Sequence, residues 1–179
     1  MSRWLAVLPL IAIVALGALF GLFALHRDPQ VQPQALVGKA MPDLTLPSLE
    51  DGAPVSLRQA AAKGPMLVNF FASWCAPCEV EQPVLMQLKA ANVRMIGIAY
   101  KDAPPKTLGF LSRLGDPFSQ RVVDRDGRAG IEFGVTGVPE TYLISQSGQV
   151  LAKHTGPLSP ADAKALAARL VESRALTGR

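Results

Sequence analysis

Cys75 and Cys78 are the only two cysteines of the chain, separated by Ala76 and Pro77 in the stretch Phe70-Phe71-Ala72-Ser73-Trp74-Cys75-Ala76-Pro77-Cys78. Two thiols at this spacing can close a disulfide and pass it to another pair of sulfurs, so the chemistry they suggest is thiol–disulfide exchange. Ahead of them Met66 to Phe71 is an apolar run short enough for a buried strand. Behind them Glu79 to Ala91 reads as a helix. A strand that gives way to a helix at Cys-x-x-Cys puts the first sulfur at the helix N-terminus. There the unpaired N–H groups and the positive end of the helix dipole favour a thiolate over a thiol.

Three plainer readings compete. A structural zinc site needs four ligands, and Cys and His together supply only Cys75, Cys78, His26 and His154. His26 borders a long apolar segment and His154 belongs to no paired motif. Two inert cysteines packed as small hydrophobes would have no reason to sit behind Trp74 and around Pro77. A purely structural disulfide would close so small a loop that it gains little chain entropy. Redox chemistry accounts for the pattern best.

The elements that must position this pair alternate. Asp43–Leu46 and Val55–Leu57 read as a leading hairpin around Glu50-Asp51-Gly52, and Leu57 to Ala62 as a helical turn. Then come the strand and the helix flanking the cysteines. Val80, Val84, Leu85 and Leu88 are expected to form the helix's buried face, with a kink at Pro83. Val93 to Tyr100 is nearly continuous in apolar residues, as a parallel interior strand would be. Pro105 to Leu114 reads as a helix with Leu108, Leu111 and Leu114 spaced three apart, Gln120–Asp124 as a short strand, and Asp126-Gly127 as a turn. Glu140–Ile144 and Gln149–Lys153 form a hairpin. Ser159, Pro160 and Asp162 start a last helix, whose inward face is Ala163, Leu166, Leu170 and Val171. The order implies an α/β domain with helices on both faces of a sheet, parallel at the crossovers and antiparallel at the last hairpin.

With 179 residues, 49% of them hydrophobic, the chain can bury one ordinary core. Its net charge of +4 is scattered apart from a thin cluster at Arg169, Arg174 and Arg179. That favours a solvated surface over a nucleic-acid footprint. From Trp4 to Leu25 there is no charged residue; at about 1.5 Å per residue this reaches across roughly 30 Å of hydrocarbon, further than a cleaved signal core usually does. Residues 1–27 are therefore expected to be an uncleaved membrane anchor with its flanks. Its N-in, C-out orientation rests on the short N-terminal tail, because Arg3 and Arg27 flank both ends. Residues 28–37, with Pro29 and Pro33, form a linker, and residues 38–179 the globular domain.

The segments WCAPCEVEQP and GVTGVPETYLI resemble those of the membrane-anchored thiol:disulfide oxidoreductases of bacterial cytochrome c maturation, the DsbE/CcmG type of the thioredoxin superfamily. The likeness covers about residues 38–172. Cys-x-x-Cys alone is common to the whole superfamily; the pairing of Glu81-Gln82-Pro83 with Gly137-Val138-Pro139-Glu140-Thr141 is narrower. The resemblance implies a thioredoxin-like fold with an N-terminal β-hairpin extension and a central insertion. It implies Cys75 as attacking and Cys78 as resolving thiol, supported by Trp74 and Pro77, and a redox-active disulfide with no cofactor and no metal. It makes Pro139 a cis proline facing the disulfide. The backbone at Val138, Pro139 and Thr141 becomes the edge where a substrate segment pairs as an added strand. Asn69 stands where thioredoxin keeps a buried aspartate and cannot take a proton. The proton of Cys78 must then go to Glu81, to Glu140 or to water.

Direction follows from the balance of charges. The helix N-terminus favours the reduced, thiolate form, whereas Glu79, Glu81 and Glu140 are expected near the sulfurs and oppose it. The expected sign is a raised thiol pKa, a disulfide hard to reduce, and a protein that acts as a reductant. The resemblance implies the same direction, with apocytochrome c or a maturation protein as substrate and a membrane thiol-electron transporter as electron source. It also implies a bacterial inner-membrane location with the catalytic domain in the periplasm. The competing functions are a general envelope thiol oxidant or isomerase, a thiol peroxidase and a copper-delivering thioredoxin-like chaperone. The peroxidase would carry its cysteine in a Thr-x-x-Cys turn, and the chaperone typically spaces its cysteines by three residues.

Overall fold

The computed structural model describes residues 4–24 and 36–177, with only part of the side chains in the first stretch. The chain divides into two units, Met1–Gln32 and Pro33–Arg179. In the first, helix α1 covers Trp4–Ala24. Among the described residues no helix is long and apolar enough to cross a membrane, and the anchor expected over residues 1–27 belongs with the proposals below. His26 and most of the expected linker lie outside the described residues.

The second unit runs β1 (Thr45–Pro47), β2 (Pro54–Ser56), α2 (Leu57–Ala62), β3 (Met66–Phe71), α3 (Ala76–Ala90), β4 (Met95–Tyr100) and α4 (Pro104–Leu114). It continues through β5 (Gln120–Asp124), α5 (Arg128–Phe133), β6 (Glu140–Ile144), β7 (Val150–Thr155) and α6 (Pro160–Thr177). Five strands form one sheet in the order β5-β4-β3-β6-β7. β3, β4 and β5 are mutually parallel, each joined to the next by a helical crossover, and β6 and β7 add antiparallel. All six residues of β3 are buried, because both faces of this central strand are covered.

Side chains alternate between the two faces along β3. Leu67 and Phe71 join Leu85, Leu88, Phe110, Leu166 and Leu170 under α3, α4 and α6. Val68 and Phe70 join Leu57, Ala60, Phe133 and Tyr142 under α2 and α5. The β1–β2 hairpin docks on the far edge: Leu49 N–H donates to Arg121 O at 2.9 Å, and Arg121 pairs with Glu50 and Asp116. Gly97 on β4 admits the Phe118 ring, since a Cβ there would stand 2.6 Å from it.

Several helices are rotated or extended relative to expectation. α3 begins three residues earlier than Glu79 and continues through Pro83 to Ala90. Its buried face includes Glu81 and Gln82, while Val80 is 71% exposed. Polar side chains turn inward there because Asn69 and the Gly115 carbonyl offer them partners. α4 buries Thr107, Phe110 and Leu111 and leaves Leu108 46% exposed. α6 buries Ala163, Leu166 and Leu170 as its spacing suggests, but Val171 points outward. α5 was expected only as a turn; Gly127 (φ 79°) opens it and Gly134 (φ 65°) closes it, both in the left-handed region.

Candidate active site

The β3–α3 junction sets the sulfurs. Cys75 is the N-cap of α3, extended at φ −94° and ψ 102°, and its Sγ accepts the Cys78 N–H at 3.2 Å. Pro77 sits in the first turn, where a missing N–H forfeits no helix bond. The two cysteines form a disulfide with Cα atoms 5.3 Å apart. Cys78 is 1% and Cys75 4% exposed, beside an exposed Trp74 and Pro77. Of the two sulfur-bearing residues, Cys75 is thus the less buried. Cys75 Sγ lies 3.4 Å from the Val138 carbonyl oxygen. The Val138–Pro139 bond is cis, as the resemblance implied, with Val138 half-buried and Pro139 and Thr141 buried.

Beneath the sulfurs, Asn69 is fully buried on the α3 side of the sheet. Its Nδ2 donates to Glu81 Oε1 at 2.9 Å and to Thr141 Oγ1 at 3.0 Å. Glu81 Oε2 accepts the Leu158 N–H at 2.9 Å. Burial pushes the Glu81 carboxyl above its ordinary value, against the pull of the Leu158 and Asn69 hydrogen bonds. Among the described residues Asn69 Oδ1 has no hydrogen-bond partner. Glu81 follows Cys78 by three residues in α3, so both project to the same helix face.

Glu140 does not join them. It pairs in register with Phe70, whose side chain faces the α2/α5 side. There its carboxylate meets Lys153 Nζ at 2.9 Å, both groups being buried, and accepts Tyr142 Oη–H at 2.9 Å and the Thr136 N–H and hydroxyl. The expectation that Glu140 lies near the sulfurs is therefore corrected: strand alternation carries it to the opposite face. Glu79 is also drawn off, into an exposed pair with Arg113 at 2.6 Å. His154 stands on β7, its Nδ1 4.0 Å from Asp162 Oδ1.

A further buried carboxylate close to the cysteines has no signature in the sequence. Asp102, after β4, binds the backbone and side chain of Ser73, immediately before Trp74. An aspartate followed by Ala103, Pro104 and Pro105 reads only as a helix entry, and nothing local indicates a partner 29 residues away.

A redoxin profile matches residues 36–170 of this chain. The chain belongs to the redoxin family. This redoxin is 40% identical over 164 residues to the thiol:disulfide interchange protein HelX of Rhodobacter capsulatus, across 89% of this chain and 90% of that one. It is 36% identical over 166 residues to the thiol:disulfide interchange protein DsbE of Escherichia coli K12, across 89% of each chain. It also superposes on a secreted Mycobacterium tuberculosis disulfide oxidoreductase homologous to E. coli DsbE. That match has a TM-score of 0.63 at 26% identity, and covers 72% of this chain and 96% of that one. The redoxin is thus a disulfide oxidoreductase of the DsbE type with a thioredoxin-like α/β fold.

Proposed function

We propose that this redoxin is the reductant of apocytochrome c, or of its maturation partner, during cytochrome c assembly. One observation carries the mechanism: Cys75 Sγ caps α3, receives the Cys78 N–H, and lies 3.4 Å from the Val138 carbonyl beside Pro139. In the reduced protein the Cys75 thiolate attacks one sulfur of the substrate disulfide; that S–S bond breaks and the second substrate sulfur leaves as a thiolate. Cys78, deprotonated, then attacks Cys75 Sγ. The substrate leaves as a dithiol, and two electrons have passed to it from the Cys75–Cys78 pair.

Glu81 takes the proton from Cys78, since it shares that helix face and its own proton affinity is raised by burial. Asn69 and Thr141 hold it, Trp74 and Pro77 frame Cys75, and the Val138-Pro139-Thr141 backbone pairs with the substrate segment. The reaction needs no cofactor beyond the disulfide. With Glu79 and Glu140 otherwise engaged, Glu81 is the carboxylate left to oppose the thiolate and favour the reductant direction.

Residues 1–27 anchor the protein in the bacterial inner membrane, residues 28–37 tether it, and residues 38–179 work in the periplasm. The unbroken apolar sequence and the exposure of Ile11, Ile13, Val14, Leu16, Leu19 and Leu22 on α1 support this. Electrons come from a membrane thiol transporter.

The test is trapping with Cys78→Ser, which strands the mixed disulfide on Cys75. Recovery of apocytochrome c or a maturation factor from the envelope is expected, with loss of c-type cytochromes in a Cys75→Ser strain. A broad collection of secreted proteins without either would overturn the assignment in favour of a general thiol oxidant or isomerase.

A further inference from the structure

The peptide leading into Cys75 is gripped by the loop beyond β4. Asp102 is 5% exposed, and each of its carboxylate oxygens accepts two donors. Oδ1 takes the Ser73 hydroxyl at 2.9 Å and the Ala103 N–H at 2.9 Å. Oδ2 takes the Ser73 N–H at 2.7 Å and the Thr107 hydroxyl at 2.9 Å. Starting α4 would need only the Ala103 and Thr107 contacts; the bonds to Ser73 serve something else.

What they serve is one residue further on. Trp74 Nε1–H donates to the Lys101 carbonyl at 3.3 Å, so both ends of the Lys101-Asp102 pair hold the Ser73-Trp74 pair. Lys101 is itself held at φ 47°, a left-handed backbone that a side chain disfavours, and its N–H is fixed on Asp124 O at 2.8 Å. Strained backbone and a four-donor carboxylate are spent on a Trp ring that remains 59% exposed. An exposed ring gains little from being held so firmly unless something docks on it.

We propose that Asp102 is a positioning residue for exchange with polypeptide disulfides: it fixes the Ser73–Trp74 peptide, so that the indole presents a preformed rim to the chain approaching Cys75. A small disulfide reaches the same sulfur without touching the rim. The inference rests on disulfide exchange at Cys75 and not on which protein is the substrate.

Asp102→Asn is the sharpest variant. Rotating hydroxyls can turn to suit an amide, but the Ser73 and Ala103 N–H groups cannot, and each faces a different oxygen. Whichever way the Asn lies, its NH2 opposes one of the two. Full-length reduced protein in detergent is mixed with a peptide closed by an internal disulfide and, separately, with glutathione disulfide. The ratio of the two second-order rate constants should fall roughly tenfold in D102N, as expected for a misplaced docking group. Trp74→Ala should lower the same ratio, and D102N should add nothing in that background, because the two act as one unit. An unchanged ratio in D102N overturns the proposal. So does an equal slowing with both disulfides, which marks a merely structural role, or a D102N effect that persists without Trp74. Should D102N fail to fold, Ser73→Ala removes one hydroxyl donor and keeps the N–H. A smaller drop in the ratio is then expected, and no drop overturns the proposal equally.

Discussion

Glu81 lies one turn beyond Cys78 on α3, buried and held by Asn69 and the Leu158 N–H. Its raised proton affinity has a consequence for stability. Between the ordinary glutamate value and the raised one, the folded chain keeps a proton that the unfolded chain has released. Stability therefore falls as pH rises through that window and levels off above it. Glu81→Gln removes this titrating group, so its urea midpoint should decline less there than the parent's, the remaining fall coming from Asp124, whose carboxyl burial also pushes up; a variant that runs parallel to the parent throughout the window would refute the shift. The same variant should slow resolution of the mixed disulfide more than its formation, read by quenching the Cys75 adduct at successive times.

Among elements, β6 shows how a strand separates two neighbouring roles. Thr141 faces Asn69 on the sulfur side, and Glu140 turns to the other. There Glu140 and Lys153, with side chains 0% and 3% exposed, form a buried pair 2.9 Å apart. Lys153→Met should cost about 3 kcal/mol, because it strands a buried carboxylate. Replacing both partners with apolar residues should cost less than the two single changes summed, as urea denaturation would measure. On α6 the rotation seen in the structure gives a second contrast. Leu170→Ala, at 1% exposure, should cost about 2–5 kcal/mol. Val171→Lys, at a position 62% exposed, should stay within about 0.5 kcal/mol.

At the scale of the whole molecule, direction of electron flow and redox-linked stability are one quantity. A disulfide that is hard to reduce belongs to a protein whose oxidised form is the more stable. On the proposed reductant direction, thermal unfolding of the oxidised redoxin is expected above that of the reduced redoxin. The reverse order would make it an oxidant, the direction that the Cys78 N–H on Cys75 Sγ by itself favours.

Much of this was legible in the chain. The two cysteines, the apolar run before them and the helix after them dictate a sulfur at a helix N-terminus, because strand and helix periods are local properties. The parallel and antiparallel pairings followed for the same reason, since parallel pairs require crossovers and a short loop makes an antiparallel hairpin. Which way a side chain faces was less secure. Val80 and Val171 fit an apolar stripe, yet the helices turned them outward because Glu81, Gln82 and Ser173 were placed inside. Only the tertiary structure assigned Glu140 to Lys153 and brought Asp102 to Ser73, joining residues that no local pattern connects. The reason is physical: a buried carboxylate is placed by where its donors lie, and those donors come from distant parts of the chain.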